Sequence, residues 1–149
     1  MKKTSVPLVI AFTPDYFIPA ATCLYSIITS MQAEGELHVI CLLSEELPER
    51  LKLKIQLIGE GRTCYSFVNL QGKLQHIYID QKYTEAASYR LLLPDLLPEY
   101  KKVIYIDCDI IVRNDLVQLY HSIDLGMNYL AAVFEASMDF QLDLSLIHI

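Results

Sequence analysis

The sequence has no cluster of basic residues. Its 12 lysines and arginines stand singly or in pairs against 18 aspartates and glutamates, which gives a formal net charge of −6. Binding to nucleic-acid phosphates requires a positively charged patch, so this composition excludes nucleic acid as a partner. An acidic protein can still bind a phosphorylated small molecule when a divalent cation bridges the two negative partners. That class of ligand stays open.

The sequence also has no cysteine pattern of the kind that binds zinc, because Cys23, Cys41, Cys64 and Cys108 are spaced too widely. Each has apolar neighbours, among which a free thiol behaves as a small hydrophobic side chain. We therefore expect all four cysteines to be reduced and structural.

No apolar run approaches the roughly 18 residues of a membrane span. Two lysines precede an apolar stretch at the amino terminus, as in a signal peptide, but that stretch covers only Val6–Phe12 and ends at Pro14 and Asp15. The sequence therefore predicts a cytoplasmic location.

The length and composition are those of one globular domain. The chain has 149 residues, of which 53% are hydrophobic and 20% are charged, and this is enough for a substantial core. No repeat, low-complexity tract or linker divides it, so we predict a single domain over 1–149. The stretch 140–149 ends in LSLIHI without a cap, a turn or a following element. We interpret the domain as truncated and 140–149 as a candidate non-native or disordered tail.

Short apolar runs alternate with helical patterns along the chain. Val6–Phe12 suits a strand that is covered on both faces, and the spacing of Leu24, Ile27, Ile28 and Met31 then marks a helix over 20–31. A return to a parallel strand needs a crossover, so this alternation predicts an α/β fold with a mostly parallel sheet. The further strands are predicted at 37–43, 63–70, 77–79, 103–107 and 129–134. The further helices are one with stripe residues from Leu47 to Ile58 that ends at Gly59, one over 84–93 ended by Pro94 and Pro98, and a helical turn capped by Asn114.

Two carboxylates stand one residue apart in the otherwise apolar run KVIYIDCDIIV at 102–112. A carboxylate buried without a partner is costly, so something must compensate for Asp107 and Asp109. On a strand, residues i and i+2 point to the same face, so both can aim at one spot while Cys108 points into the core. Ligands of open α/β sheets bind beyond the carboxyl ends of strands, and hard oxygen ligands favour Mg²⁺ or Mn²⁺. The pattern predicts a divalent cation at Asp107 and Asp109.

Four segments resemble segments that occur in the same order in a known family. They are VIAFTPDYFIPAATCLYSI, SYRLLLPDLLP, YIDCDIIVRNDL and IDLGMNYLAAVFEAS. With them the chain resembles, over nearly its whole length, the family 8 glycosyltransferases, which include bacterial lipopolysaccharide galactosyl- and glucosyltransferases and glycogenin. The resemblance implies a GT-A fold, Rossmann-like and nucleotide-sugar-binding. It implies retaining transfer of a hexose from a UDP-sugar to a glycan acceptor of the lipopolysaccharide type. It also implies peripheral attachment to the inner membrane through a missing C-terminal region.

The resemblance assigns roles to particular residues. Asp107 and Asp109 match the family's Asp-x-Asp motif and would hold Mn²⁺, or Mg²⁺, against the diphosphate. The match suits the chemistry, because UDP is a poor leaving group until a cation neutralises the charge that develops on it. Arg90 matches an arginine near the donor sugar, where its fixed charge and fork of donors suit phosphate and carboxylate. Glu135 matches an acid near the sugar pocket, although the family more often has Asp there, and Glu135 and Arg90 are the candidate catalytic residues.

The loop after the first strand matches the family's uridine site. By this analogy Tyr16 stacks on the base and Asp15 accepts a hydrogen bond from the uracil NH. Thr13 departs from the pattern, since the family usually has an acid at that position. The candidate nucleotide-sugar contacts are Ala11, Thr13, Asp15, Tyr16, Arg90, Asp107 and Cys108.

The histidines show no metal-binding pattern. His38 lies in an apolar run, and we predict a partly buried imidazole with satisfied hydrogen bonds rather than a metal ligand. The family's third metal ligand is a histidine in a His-x-x-Gly-x-x-Lys-Pro segment, and nothing in this chain matches that segment.

Two other interpretations stay open. A haloacid-dehalogenase-type phosphohydrolase also places Asp-x-Asp after an apolar strand. It expects the motif near the amino terminus and a Thr or Val at the position that Ile111 takes here. The second alternative is a metal-dependent nucleotide-binding module without catalysis, which would bind UDP without turnover.

Overall fold

The computed structural model describes residues 5–32, 34–75 and 85–132. Within these ranges the chain forms a four-stranded, fully parallel sheet in the order β3-β2-β1-β4. The strands are β1 (Val6–Phe12), β2 (Leu37–Leu43), β3 (Thr63–Asn69) and β4 (Ile104–Asp107). The predicted α/β class with a parallel sheet is confirmed, and the predicted strands over 63–70 and 103–107 differ from β3 and β4 by one residue at one end.

Helical segments lie between consecutive strands and after β4. They are α1 (Phe17–Ser30), α2 (Glu49–Gln56), α3 (Glu85–Ser88), α4 (Leu93–Leu96) and α5 (Leu116–Ser122), with 3-10 turns at Pro14–Tyr16 and Tyr89–Leu92. In the described part of the chain, no helix is both long enough and apolar enough to span a membrane.

Both faces of the sheet are covered. Every residue of β1 is buried, and its side chains alternate between two hydrophobic clusters. Leu8 and Ile10 pack with α1 residues such as Leu24, whereas Val9 and Ala11 pack with residues of the segment that contains α3 and α4. A strand covered on both faces must be apolar throughout, which explains why β1 has no polar residue.

The helix predicted over 20–31 is confirmed as α1, but it begins earlier, at Phe17. Pro19 lies in its first turn, where the missing N–H group has no intrahelical partner to lose. The helix predicted up to Gly59 is shorter than expected, because α2 ends at Gln56. Gly59 has a φ of 73°, a conformation that glycine adopts without steric cost, and it lies in the turn that leads to β3.

The helix predicted over 84–93 is replaced by shorter pieces. The chain forms α3, then the 3-10 turn Tyr89–Leu92, then α4. Pro94 does not end a helix, since it lies in the first turn of α4, where proline is tolerated. Residue 84, together with the strand predicted at 77–79, lies outside the described residues.

The strand predicted at 129–134 is wrong over 129–132, where the chain is irregular and exposed. Tyr129 and Leu130 are 103% and 77% exposed. Residues with high β propensity form a strand when they can pack on a neighbouring surface, and these two side chains have none among the described residues. Residues 133 and 134 and the tail 140–149 lie outside the described ranges.

Three of the four cysteines are buried, which agrees with the structural role predicted for them. Cys64 is the exception, because β3 is the edge strand of the described sheet and Cys64 is exposed on it. All four are free thiols.

Candidate active site

A cleft of about 340 Å³ opens beyond the carboxyl ends of β1 and β4. β1 pairs with β2 on one side and with β4 on the other, so the strand order reverses direction between β1 and β4. Open α/β sheets bind ligands at such a topological switch point. Ala11 and Asp107 are register partners, so the loops that leave the two strands start side by side.

Most of the residues that the sequence suggested come together in this cleft. Those that line it are Ala11, Thr13, Tyr16, Arg90, Asp107, Cys108 and Asp109. They come from three separate parts of the chain: the end of β1, the 3-10 turn Tyr89–Leu92 and the end of β4. Asp15 is exposed on the turn Pro14–Tyr16 and is not among the lining residues. Glu135 lies outside the described residues.

The Asp-x-Asp pair is not carried by a strand. β4 ends at Asp107, and Cys108 and Asp109 belong to the turn that follows. The expectation that strand alternation aligns the two carboxylates is therefore wrong, although the turn brings both residues to the cleft. Both carboxylates are exposed, so the burial penalty that the apolar run suggested does not arise.

Two buried thiols, those of Cys23 and Cys108, lie at this turn. The Cys23 thiol of α1 approaches the carbonyl oxygen of Asp107, with a sulfur-to-oxygen distance of 3.8 Å. Burial raises the pKa of Cys23 to about 11 and also raises the pKa of Cys108, so both remain neutral thiols near neutral pH. They pack as apolar groups in the cluster between the sheet and α1.

Arg90 is held beside Asp107 by three contacts. Its Nε–H donates to the carbonyl oxygen of Ala87 at 2.8 Å, and its Nη2 donates to Oδ1 of Asp107 at 2.9 Å. Its Cζ lies 4.6 Å from the centroid of the Tyr105 ring, over the ring. A guanidinium has five N–H groups, and these contacts use only the Nε and Nη2 nitrogens. Among the described residues no hydrogen bond occupies Nη1.

Sequence reasoning missed four residues that line the cleft: Phe12, Tyr105, Ala86 and Ala87. Tyr105 had a usable signal, since it precedes Asp107 by two positions on β4 and therefore shares its face. The sequence contains no comparable signal for Ala86 and Ala87 of α3. Burial raises the pKa of the Tyr105 phenol, and the nearby Arg90 charge acts in the opposite direction.

The two carboxylates of the cleft suit a cation that is bound by the protein and by a ligand together. Asp107 and Asp109 supply hard carboxylate oxygens at the cleft, and within the described ranges only Oδ1 of Asp107 accepts a hydrogen bond. No group of three or more His, Cys, Asp or Glu side chains in those ranges could enclose a metal ion. Mg²⁺ is commonly bound through one or two carboxylates together with substrate phosphates, which is the arrangement that two exposed carboxylates can support.

Comparison with known proteins gives a match over most of the chain. A family model described as glycosyl transferase family 8 matches residues 7–145. General stress protein A of Bacillus subtilis (strain 168) is 25% identical over 140 residues, covering 91% of this chain and 49% of that protein. Glycosyltransferase GlyE of Streptococcus pneumoniae serotype 4 is 31% identical over 122 residues, covering 73% of this chain and 28% of that protein. The chain thus spans half or less of the length of these relatives.

Solved structures show the same fold. The apo structure of the bifunctional glycosyltransferase WbbM matches with a TM-score of 0.81 and 24% identity, covering 96% of this chain and 25% of that one. An active-site mutant of LgtC matches with a TM-score of 0.73 and 22% identity, covering 91% of this chain and 49% of that one. The described part of the chain therefore has the GT-A architecture of these glycosyltransferases.

Proposed function

Because the chain belongs to glycosyl transferase family 8, we propose that it binds the UDP-sugar donor of a retaining hexosyltransferase whose acceptor is a glycan of the lipopolysaccharide type. The observation that carries the proposal is the cleft at the switch point, where Asp107, Asp109 and Arg90 lie together. The family match gives no support to a phosphohydrolase or to a nucleotide-binding module without catalysis.

Asp107 and Asp109 are the residues that would hold Mn²⁺ or Mg²⁺. When bound, the cation supplies the positive charge that stabilises UDP as it departs from the sugar. The carboxylates bring this charge to the end of β4, beside the loop that leaves β1. A chain of net charge −6 repels a free diphosphate, so we expect binding to depend on the cation.

Arg90 adds a second positive charge to the same cleft. Its unused N–H groups can donate to a phosphate oxygen, and a charged donor with an anionic acceptor makes a short, strong hydrogen bond. The guanidinium remains charged throughout the ordinary pH range, so this contribution does not depend on a proton transfer.

Tyr16 is the proposed platform for the uracil ring. It lines the cleft at the end of β1 and is 46% exposed, which leaves ring surface for a base. Stacking of a base on an aromatic ring contributes about 1–3 kcal/mol. Thr13 also lines the cleft, whereas Asp15 is not among its lining residues.

The test is titration of the 149-residue chain with UDP by isothermal calorimetry, in Mn²⁺ and in EDTA. We expect binding in Mn²⁺ and an affinity at least about tenfold lower in EDTA, a difference of about 1.4 kcal/mol. Equal affinity in the two conditions would refute the cation bridge. GDP is the matched ligand control, since it carries the same diphosphate, and equal binding of GDP would refute the uridine site.

A further inference from the structure

We infer that Tyr105 is a positioning residue that keeps the Arg90 guanidinium in the cleft when Asp107 binds the cation. The inference rests on the proposed function, which assigns Arg90 to the phosphates of the donor. Tyr105 lies on β4 two residues before Asp107, and its ring lies directly under the guanidinium, with Cζ 4.6 Å from the ring centroid.

The ion pair between Arg90 and Asp107 is too exposed to hold the arginine by itself. The two side chains are 46% and 58% exposed, and water screens such a pair so strongly that its contribution is small. Oδ1 of Asp107, which accepts from Arg90, belongs to the carboxylate proposed to bind the cation. A cation at Asp107 therefore competes with Arg90 for the same negative charge.

Two contacts of Arg90 do not depend on the charge of Asp107. The first is the hydrogen bond from Nε to the carbonyl oxygen of Ala87. The second is the face of the Tyr105 ring, whose quadrupole attracts a cation whatever the state of Asp107. Tyr105 is itself held in place, because its ring packs against the buried cluster that includes Ala86 and Tyr89.

Together these contacts define the orientation of the guanidinium. The ring holds Cζ of the guanidinium 4.6 Å from its centroid and the Ala87 carbonyl holds its Nε edge, so these two contacts leave both Nη nitrogens for Asp107 or an anion. Without the ring, Arg90 would have to order itself again on each binding event, at a cost in side-chain entropy. Tyr105 also lines the cleft, but the role proposed for it is exerted through Arg90.

A ligand-free measurement tests the contact directly. In an NMR spectrum of the free protein, the Nε–H resonance of Arg90 is identified by its loss in Arg90→Lys. We expect this resonance to be shifted upfield by the Tyr105 ring and to keep that shift in Tyr105→Phe. The shift should disappear in Tyr105→Leu. An unchanged resonance in Tyr105→Leu would overturn the inference, whether or not the protein binds UDP.

A double-mutant cycle tests the role in binding. With Mg²⁺ present, we expect Tyr105→Leu to weaken UDP binding by roughly threefold to thirtyfold, and Tyr105→Phe to lose less because it keeps the ring. In an Arg90→Ala background, Tyr105→Leu should add less than about a twofold loss, because the two residues act as one unit. An equal loss in both backgrounds would overturn the inference. Tyr65→Leu is the control, since Tyr65 is a partly buried tyrosine of β3 that does not line the cleft.

The outcomes separate the two proposals. If the unmodified chain fails to bind UDP, the proposed function fails, and the Arg90 resonance still decides the inference. If Tyr105→Leu does not fold, ring-fluorinated phenylalanines at position 105 preserve the shape and weaken the negative ring face with each added fluorine. The upfield shift of the Arg90 Nε–H resonance and the UDP affinity should then decrease with each added fluorine. Values that do not change with the number of fluorines would overturn the inference.

Discussion

At Asp109, the effect of a substitution on ligand binding can be measured separately from its effect on stability. It is exposed in the turn after β4, and no hydrogen bond to its carboxylate is formed among the described residues. Asp109→Asn preserves the shape and removes one anionic ligand. We expect cation-dependent UDP affinity to fall by at least about tenfold while the free energy of unfolding changes by less than about 0.5 kcal/mol. Calorimetry and urea unfolding measure the two quantities.

The control for this substitution is Asp95→Asn. Asp95 is also an exposed carboxylate, but it lies on α4 and does not line the cleft. Neither UDP affinity nor stability should change in this variant. Unfolding of Asp109→Asn would mean that the carboxylate pair is structural and that its assignment to a cation is wrong.

His38 confirms the expectation of a satisfied, partly buried imidazole. Its Nδ1 lies 2.5 Å from the hydroxyl of Tyr100 and its Nε2 lies 2.8 Å from the hydroxyl of Ser66. These bonds join β2 to β3 and to the segment before β4. Burial lowers the pKa of His38 below its usual value of 6.5, and the charge of Glu99 acts in the opposite direction.

This lowered pKa predicts a pH dependence of stability. Near pH 6 the unfolded chain binds a proton at His38 more readily than the folded chain does, so stability should fall as the pH decreases from about 7 through the lowered pKa. Urea midpoints measured between pH 7.5 and 5.5 test this, with His38→Gln as a variant that cannot titrate there. We expect a flatter profile for His38→Gln. Identical profiles would show that other groups cause the dependence.

At the scale of single elements, α5 shows how a short helix is held by its ends. Asp115 is buried, and its Oδ1 accepts hydrogen bonds from the backbone N–H groups of Val117 at 2.8 Å and Gln118 at 3.1 Å. Its Oδ2 accepts from the backbone N–H of Gln32, just after α1, at 2.7 Å. At the other end, Lys102 donates to the carbonyl oxygens of Tyr120 and Ile123. The predicted cap Asn114 is wrong, because the carboxylate that meets these amides belongs to Asp115.

We expect Asp115→Ala to reduce the free energy of unfolding by about 2 kcal/mol or more, because it removes a helix cap and leaves a backbone N–H at Gln32 without its acceptor. Asp115→Asn keeps an acceptor oxygen and should cost less. Asn114→Ala is the matched control and should change stability by less than about 0.5 kcal/mol. Urea unfolding measures all three variants. A larger loss from Asn114→Ala than from Asp115→Ala would contradict the assigned cap.

At the scale of the whole molecule, the chain covers only part of the proteins it matches, 49% of general stress protein A and 28% of GlyE. Among the described residues, the cleft offers two carboxylates and no enclosed metal cluster. A cation bound there with UDP would complete its coordination with water. An open cleft also weakens electrostatic stabilisation of departing UDP and does not orient an acceptor hydroxyl.

We therefore expect the 149-residue chain to bind UDP but to transfer little or no hexose by itself. Radiolabelled UDP-glucose and UDP-galactose, incubated with simple sugar acceptors and Mn²⁺, measure the transfer. Calorimetry with UDP on the same preparation is the control for folding. Robust turnover by this chain would show that the residues present already form a complete active site.

The sequence by itself determined the main elements of the fold. A parallel strand that is covered on both faces is apolar along nearly its whole length, so β1 and β2 stand out as apolar runs. The edge strand β3 mixes polar with apolar residues and none of its residues is buried. α1 stands out because its apolar residues repeat at helical spacing. The sequence also indicated which types of side chain form the site. Carboxylates are the usual protein ligands of Mg²⁺ and arginine is a usual ligand of phosphate, so a carboxylate pair and an arginine could be picked out before the fold was known.

Only the tertiary structure decided which of these residues meet. Parallel pairing of β1 with β4 places Ala11 beside Asp107, and the fold brings Arg90 onto Tyr105 and Asp107. Burial against the end of α1 made Asp115, rather than its neighbour, the cap of α5. Periodicity reports which face of an element is buried, but strand order and register set which distant faces meet. Those are properties of the whole sheet, which no local segment of sequence contains.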